Sequence, residues 1–307
     1  MDLSGGESLR LSVIADEMIQ NAMDLAWSYA VELYGCPLCI DAGLRPVRVA
    51  VIGYGSIGSR DMNYSSDLDL VFLHDSCGLD QRTDGTNSVE NKVFFDYWVQ
   101  RALDLIDWLY EVDLRMRDTA LIHSFKDWRD HQLNKSQTWE QNAMLRSRAV
   151  AGDPKLCADI EMVRKNVIAF SDRRSGSKSL RDYVYRHREL WRMESRHHPK
   201  QGHRLKQAPG GIIDINFLTQ YWVLKYASIW PTVWDWPSNS IGQLQILSAE
   251  KLVPQEQADM LIEAYQFYHM TVLNPLDTET EFEQCTSRLN KIERLWNTVM
   301  KEETINE

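Results

Sequence analysis

Three aspartates, Asp67, Asp69 and Asp113, carry the chemistry that this chain's residue pattern suggests. Asp67 and Asp69 stand two apart at the head of an apolar run, residues 67–73, that reads as a strand. Strand side chains alternate between faces, so a strand beginning at Asp67 projects both carboxylates from one side. Two hard oxygen ligands side by side suit Mg2+, which is usually held by one or two carboxylates plus substrate phosphates. Asp113 lies in a later run, residues 110–116, where Val112, Leu114 and Met116 alternate with Glu111, Asp113, Arg115 and Arg117. A carboxylate from that third strand completes a two-metal site for transfer at phosphorus.

Upstream, the short β-branched run 48–52 ends in Gly53-Tyr-Gly55-Ser-Ile-Gly58 and then Ser59. Two readings compete for this turn. A strand followed by Gly-x-Gly-x-x-Gly is the dinucleotide fingerprint, and Asp75 stands twenty residues beyond Gly55, where a ribose-binding acid belongs. Spacing argues against it: only ten residues, several of them turn formers, separate Gly58 from Asp69, and a parallel crossover needs a dozen or more. In the other reading the tight Gly58-Ser59 turn frees backbone amides to point at a triphosphate. Asp-x-Asp by itself is common as a turn cap. Gly-Ser, Asp-x-Asp on a strand, a helix and a further acidic strand together point to a nucleotidyltransferase metal site.

The elements that must position these residues follow from periodicity. Ile14, Met18, Ala22, Leu25, Ala26, Tyr29 and Leu33 recur at steps of three and four, predicting an N-terminal amphipathic helix, and residues 94–109 predict another. After about residue 150 strand signals stop, and helices are expected near 182–194, 212–227, 255–273 and 287–300. The fold class is therefore α+β: a small mixed sheet with flanking helices over residues 1–150, then an all-α bundle over 151–307. The turn chemistry of Gly152-Asp-Pro154 marks the expected boundary.

Composition narrows the function classes. A net charge of −10 argues against general nucleic-acid binding, although residues 164–206 hold thirteen Lys and Arg against four Asp and Glu. That stretch either faces phosphates or an acidic partner, or is a solvated helix face. No run nears the roughly 18 apolar residues of a membrane helix, and five scattered cysteines suit a reducing compartment, so the expected location is cytoplasmic, with no membrane partner. Cys36-Pro-Leu-Cys39 lacks a second ligand pair at zinc-like spacing, and His197-His198 with His203 reads as a basic loop. Arg146 and Arg148 either hold phosphates or pair with acids, as does Lys206; Asp214 either acts at a site or sits in a first helical turn.

The segments Val51 to Ser59, Asn63 to Asp75, Glu111 to Arg117, Thr138 to Glu140, Arg146 to Pro154 and Gly210 to Ala227 together resemble, in this order, the glutamine synthetase adenylyltransferase family. The resemblance spans roughly residues 20 to 275. Family members carry one half that removes AMP from glutamine synthetase and one that adds it; Gly-Tyr-Gly with Tyr64-Ser-Ser-Asp-Leu-Asp-Leu70 resembles the adding, C-terminal half. It implies ATP as substrate, Mg2+ at Asp67, Asp69 and Asp113, nucleotide contacts from Gly58, Ser59, Arg146, Arg148 and Lys206, glutamine synthetase as acceptor and a PII-type nitrogen-signalling protein as a further partner. The chain departs from the pattern at Gly55-Ser56-Ile-Gly-Ser59, where a lysine is expected, after Arg117, and at Asn216 in place of Glu.

Overall fold

A computed structural model describes residues 3–39, 44–76, 81–114, 120–169, 177–197, 204–227, 235–273 and 279–301. The chain divides into two compact units, one of Ser8–Val167 and one of Met1–Glu7 with Ile168–Glu307. Each is described separately.

In the first unit, α1 (Leu3–Tyr34) precedes a small antiparallel pair, β1 (Leu38–Cys39) with β2 (Arg45–Pro46). The main sheet then forms from β3 (Val49–Tyr54), the short helix α2 (Gly55–Gly58), β4 (Leu68–His74), α3 (Asn91–Ile106), β5 (Val112–Asp113), β6 (Ile122–Ser124), α4 (Phe125–Asn134), α5 (Thr138–Met144), β7 (Arg148–Gly152) and α6 (Pro154–Ala169). Its order is β5-β4-β3-β7, with β6 also pairing with β4. β3 runs antiparallel to both β4 and β7, whereas β5 and β6 run parallel to β4, so the sheet is mixed as expected. The antiparallel β3–β4 pair removes the dinucleotide reading, which needs parallel strands. Asp75 is instead tied to Arg48 (2.7 Å) and Arg45 (3.0 Å).

Both faces of the sheet are covered, which explains the near-continuous apolar character of β3 and β4. Leu68, Leu70 and Phe72 face one core with Val51, α1 and α3, including Ile19, Phe94 and Trp98. Val71 and Leu73 face the other with Ile52, Tyr54, Trp128, Met144 and the α6 residues Leu156, Ile160, Val163 and Val167.

Two expectations are corrected here, on α1 and on the third strand. The apolar stripe that identifies α1 is only partly the face it buries: its Ala22 and Ala26 are buried, together with Ala15, Ile19 and Ala30 beside it, while its Ile14 is 55% exposed and its Leu25, Tyr29 and Leu33 are exposed. Small side chains let the helix lie close to the sheet. The third strand is only Val112–Asp113, and Arg115 to Arg117 lie outside the described residues. The division expected at 150/151 falls inside β7, and the units part between 167 and 168. Gly152-Asp-Pro154 is a helix start rather than a linker: Asp153 Oδ1 accepts from the Lys155 and Leu156 amides at 3.0 Å, and Pro154 opens α6.

The second unit is helical among its described residues: α7 (Ser177–His197), α8 (Arg204–Gln207), α9 (Ile212–Ala227), α10 (Ser240–Ala249), α11 (Gln255–Leu273) and α12 (Glu279–Lys301). Central α9 buries Ile215, Leu218, Tyr221 and Val223; of the four aromatic residues that helical spacing marks as core anchors, Trp222, Tyr265 and Trp296 are buried and Tyr226 is half-buried. Asp214 is in the first turn of α9, accepts from the Gly210 amide at 2.7 Å, and is bracketed by Arg188 and by Arg192 (2.7 Å). Of the expected histidine loop, His198 and His203 lie outside the described residues, as does the side chain of His197. No described helix is long and apolar enough to cross a membrane.

Candidate functional site

Asp69 and Asp113 are register partners across the parallel β4–β5 pair. Paired residues share a face, with Cα atoms about 5 Å apart at ordinary strand spacing. The other neighbour of Asp69 in the sheet is Tyr54, so one row across three strands reads Tyr54, Asp69, Asp113. Neighbouring residues fix which face this is: Val112 and Leu114 pack with Leu68 in the α1–α3 core, so Asp113 and Asp69 look the other way. Asp67 is exposed and one residue outside β4, whose first amide, from Leu68, donates to the Glu111 carbonyl at 2.9 Å.

Next in sequence after Tyr54, Gly55 has φ +59°, and a Cβ there would meet Asp69 Oδ2 at 2.4 Å. Only glycine lets this carboxylate lie directly over the turn. Helix α2 then closes in a Schellman arrangement, with the Arg60 amide donating to Ile57 O and the Asp61 amide to Ser56 O. Arg60 takes the left-handed position at φ 60°, where glycine is usual, so nothing in the sequence signalled the motif. Ser59 is fully buried; its hydroxyl donates to Gly55 O at 2.7 Å and accepts from Arg146 Nη2 at 2.7 Å. The same Arg146 nitrogen reaches Asp61 at 3.4 Å. A Cβ on Gly58 would lie 2.1 Å from the Arg146 carbonyl, so the turn also rests on the Arg146 main chain.

Of the other expected nucleotide contacts, Arg148 lies in the same unit but on the other face of the sheet. Arg148 pairs with Gly53 in register and so points to the face opposite Asp69, where its guanidinium binds Asp16 (2.7 Å) and the Ile57 carbonyl (3.1 Å). Strand alternation would put Arg146 and Arg148 on one face, but β7 begins only at Arg148: Arg146 precedes the strand and holds the turn, whereas Arg148 ties α1 to it. Lys206 is half-buried in α8 of the second unit. Glu140, of the Thr138-Trp-Glu140 segment, caps α5 by accepting from the Gln137 amide at 2.8 Å and bonds His131 at 2.7 Å.

Among the described residues no three His, Cys, Asp or Glu side chains are drawn together as a ready-made metal cage. Two carboxylates in register with a third exposed nearby fit instead a divalent ion that arrives with its own phosphate oxygens. Cys39 is wholly buried in the α1–α3 core, and Cys36 is half-buried. A cavity of about 950 Å³ lies at the far end of β4, lined among others by His74, Asn91, Phe95 and Asp127, and is separate from the acidic row.

The glutamate-ammonia ligase adenylyltransferase family model matches residues 7–163, and the GlnD PII-uridylyltransferase model matches residues 184–276. The chain is similar to the bifunctional glutamine synthetase adenylyltransferase/adenylyl-removing enzyme of Thioalkalivibrio sulfidiphilus, 34% identical over 309 residues that cover 95% of this chain and 31% of the relative. The enzyme of the same name from Hahella chejuensis is 34% identical over 317 residues, covering 95% of this chain and 32% of its own length. The chain thus spans about a third of the length of these curated relatives.

Proposed function

For a chain that belongs to the glutamate-ammonia ligase adenylyltransferase family, we propose transfer of AMP from ATP to a tyrosine hydroxyl of glutamine synthetase with release of pyrophosphate. The observation that carries this reading is the Asp69–Asp113 register pair beside the Gly55 turn. The names of the relatives support the acceptor. The wording of the glycine turn and acidic strand supports the adding rather than the removing reaction.

Asp69 and Asp113, with Asp67 at the strand entrance, would hold Mg2+. When bound it neutralises the phosphate oxygens and acidifies the acceptor hydroxyl. Asp113 accepts the tyrosine proton as the phenolic oxygen attacks the α-phosphorus in line, and the bond to the bridging oxygen of pyrophosphate breaks. The Gly55–Gly58 turn sets the position of the β,γ-phosphates through its backbone, since the Ser59 hydroxyl is already committed to Gly55 O and Arg146. We place the reaction in the cytoplasm, where the free thiols of Cys36, Cys39, Cys157 and Cys285 persist. A PII-type protein is assigned as second partner of the helical part, in keeping with its family match.

The test is label transfer from ATP carrying the label on its α-phosphate to purified glutamine synthetase, with Mg2+, by the wild-type chain and by Asp69→Asn. Transfer by wild type and a loss of 10²-fold or more in the variant, on the order seen when a charge-stabilising group is removed, supports the reading; undiminished transfer by the variant sinks it. The absent lysine in Gly55–Ser59 favours a second reading, a regulatory module that does not transfer. Magnesium-dependent ATP binding by calorimetry counts against that alternative.

A further inference from the structure

We propose that Arg146 is a positioning residue for the transfer: it acts through Ser59 on the Gly55–Gly58 turn and does not touch the nucleotide's phosphates. This deepens the proposed function and rests on it.

Three contacts lead to it. The Ser59 hydroxyl is withdrawn from solvent, with its hydrogen on Gly55 O and its oxygen receiving Arg146 Nη2, both at 2.7 Å. Asp61 at 3.4 Å meets the guanidinium charge, so Arg146 is paired inside the fold rather than held out toward an anion. At the other end of the same path Gly55 carries the Asp69 carboxylate over its Cα. Arg146, Ser59, Gly55 and Asp69 therefore form one continuous line from the segment before β7 to the acidic row, and a shift of Ser59 is passed to the carboxylate. A displacement near 1 Å at a reacting group costs about 10²-fold in rate. Both acceptors, Ser59 and Asp61, are met by one nitrogen, Nη2, so the contacts need a donor at that point and not the two-pronged fork of arginine.

The variants Arg146→Lys, Arg146→Gln, Ser59→Ala and the double Ser59→Ala/Arg146→Gln are compared with wild type in kcat and KM for ATP, thermal midpoint, and amide hydrogen exchange across residues 53–62. Expected is a fall in kcat of about tenfold or more for Arg146→Gln and for Ser59→Ala, with KM changed less than about threefold. The double should be no worse than the weaker single, because both act on one line. Arg146→Lys retains more kcat than Arg146→Gln, and exchange in the turn quickens equally in Arg146→Gln, Ser59→Ala and the double while the midpoint holds within a few degrees. A rise in KM with kcat unchanged, or a double variant that multiplies the singles, would make Arg146 a direct phosphate contact and overturn the proposal. Should quickened exchange accompany a wild-type chain that transfers nothing, the function falls and the strut stands. Should wild type transfer normally while exchange and kcat ignore all four changes, the strut alone falls.

Discussion

Asp69 and Asp113 face each other across two parallel strands whose paired length is only two residues, Leu68–Asp69 against Val112–Asp113. So short a pairing places the second carboxylate where the first is and does little else for the sheet, since β6 takes over the same edge of β4 from Phe72 to His74. Because the two acids would share one ion-binding task, Asp69→Asn and Asp113→Asn are expected to be strongly non-additive. Each alone should lower kcat by about 10² or more, and the double should fall little further. Steady-state transfer assays on the three variants check this; multiplicative losses would mean the two acids act separately.

The glycine turn offers two substitutions of opposite sign. Gly55→Ala forces an L residue into φ +59° and sets a methyl against Asp69 Oδ2, so a loss of stability of at least about 1–2 kcal/mol is expected together with lost transfer. Arg60→Gly relieves a left-handed non-glycine residue and should raise stability by up to about 1 kcal/mol, with transfer retained. Urea denaturation midpoints of both variants decide the matter.

In the helical unit Asp214 joins the start of α9 to Arg188, and both side chains are fully buried. Asp214→Asn leaves Arg188 charged and away from water with its ion partner gone, a cost of about 3–5 kcal/mol. Burial already pulls the Arg188 pKa below its ordinary value, against the opposing pull of Asp214. Chemical denaturation followed by tryptophan fluorescence, to which buried Trp222 and Trp296 contribute, should show an early transition; an unchanged curve would refute the account.

His74 sets an acid sensitivity. Burial against the Phe95 ring, stacked at 4.4 Å, lowers its pKa to about 4, with Asp75 and Asp127 opposing the shift and His123 adding to it. A folded pKa below the ordinary 6.5 means that the unfolded chain takes up the proton first. This contribution is therefore complete above about pH 6.5 and drains away as pH falls toward 4. Asp75 is also lowered: burial pushes its pKa up, but hydrogen bonds from Arg48 and Arg45 win, so its contribution is lost only below the ordinary carboxylate range. Urea midpoints at about pH 7.5 and about pH 4.5 should separate more for wild type than for His74→Gln. Equal separation in the two proteins would count against the assignment.

Local chemistry was legible where local forces decide. The ranges 212–227 and 255–273, read from helical periodicity, are those of α9 and α11, and the β3–turn–β4 unit follows from its β-branched run, glycines and acidic strand. What escaped was decided between distant segments. β7 and β6 are short strands that exist because β3 and β4 offer open edges, and neither has a period long enough to announce itself. The face that α1 buries depends on where the sheet and α3 lie, which takes in Ala15, Ile19, Met23 and Ala30 and leaves Ile14, Leu25 and Leu33 outside.

By itself the sequence determined the residue kinds: acids two apart at a strand head, a glycine turn before them, and helices after residue 170. Tertiary structure alone decided their company. Strand register put Asp113 opposite Asp69 and sent Arg148 to the other face, because a side chain's direction changes with every residue while its contacts depend on which strand lies alongside. Folding likewise turned Arg146 from a free cation into a partner of Ser59 and Asp61, a choice made by segments more than eighty residues apart.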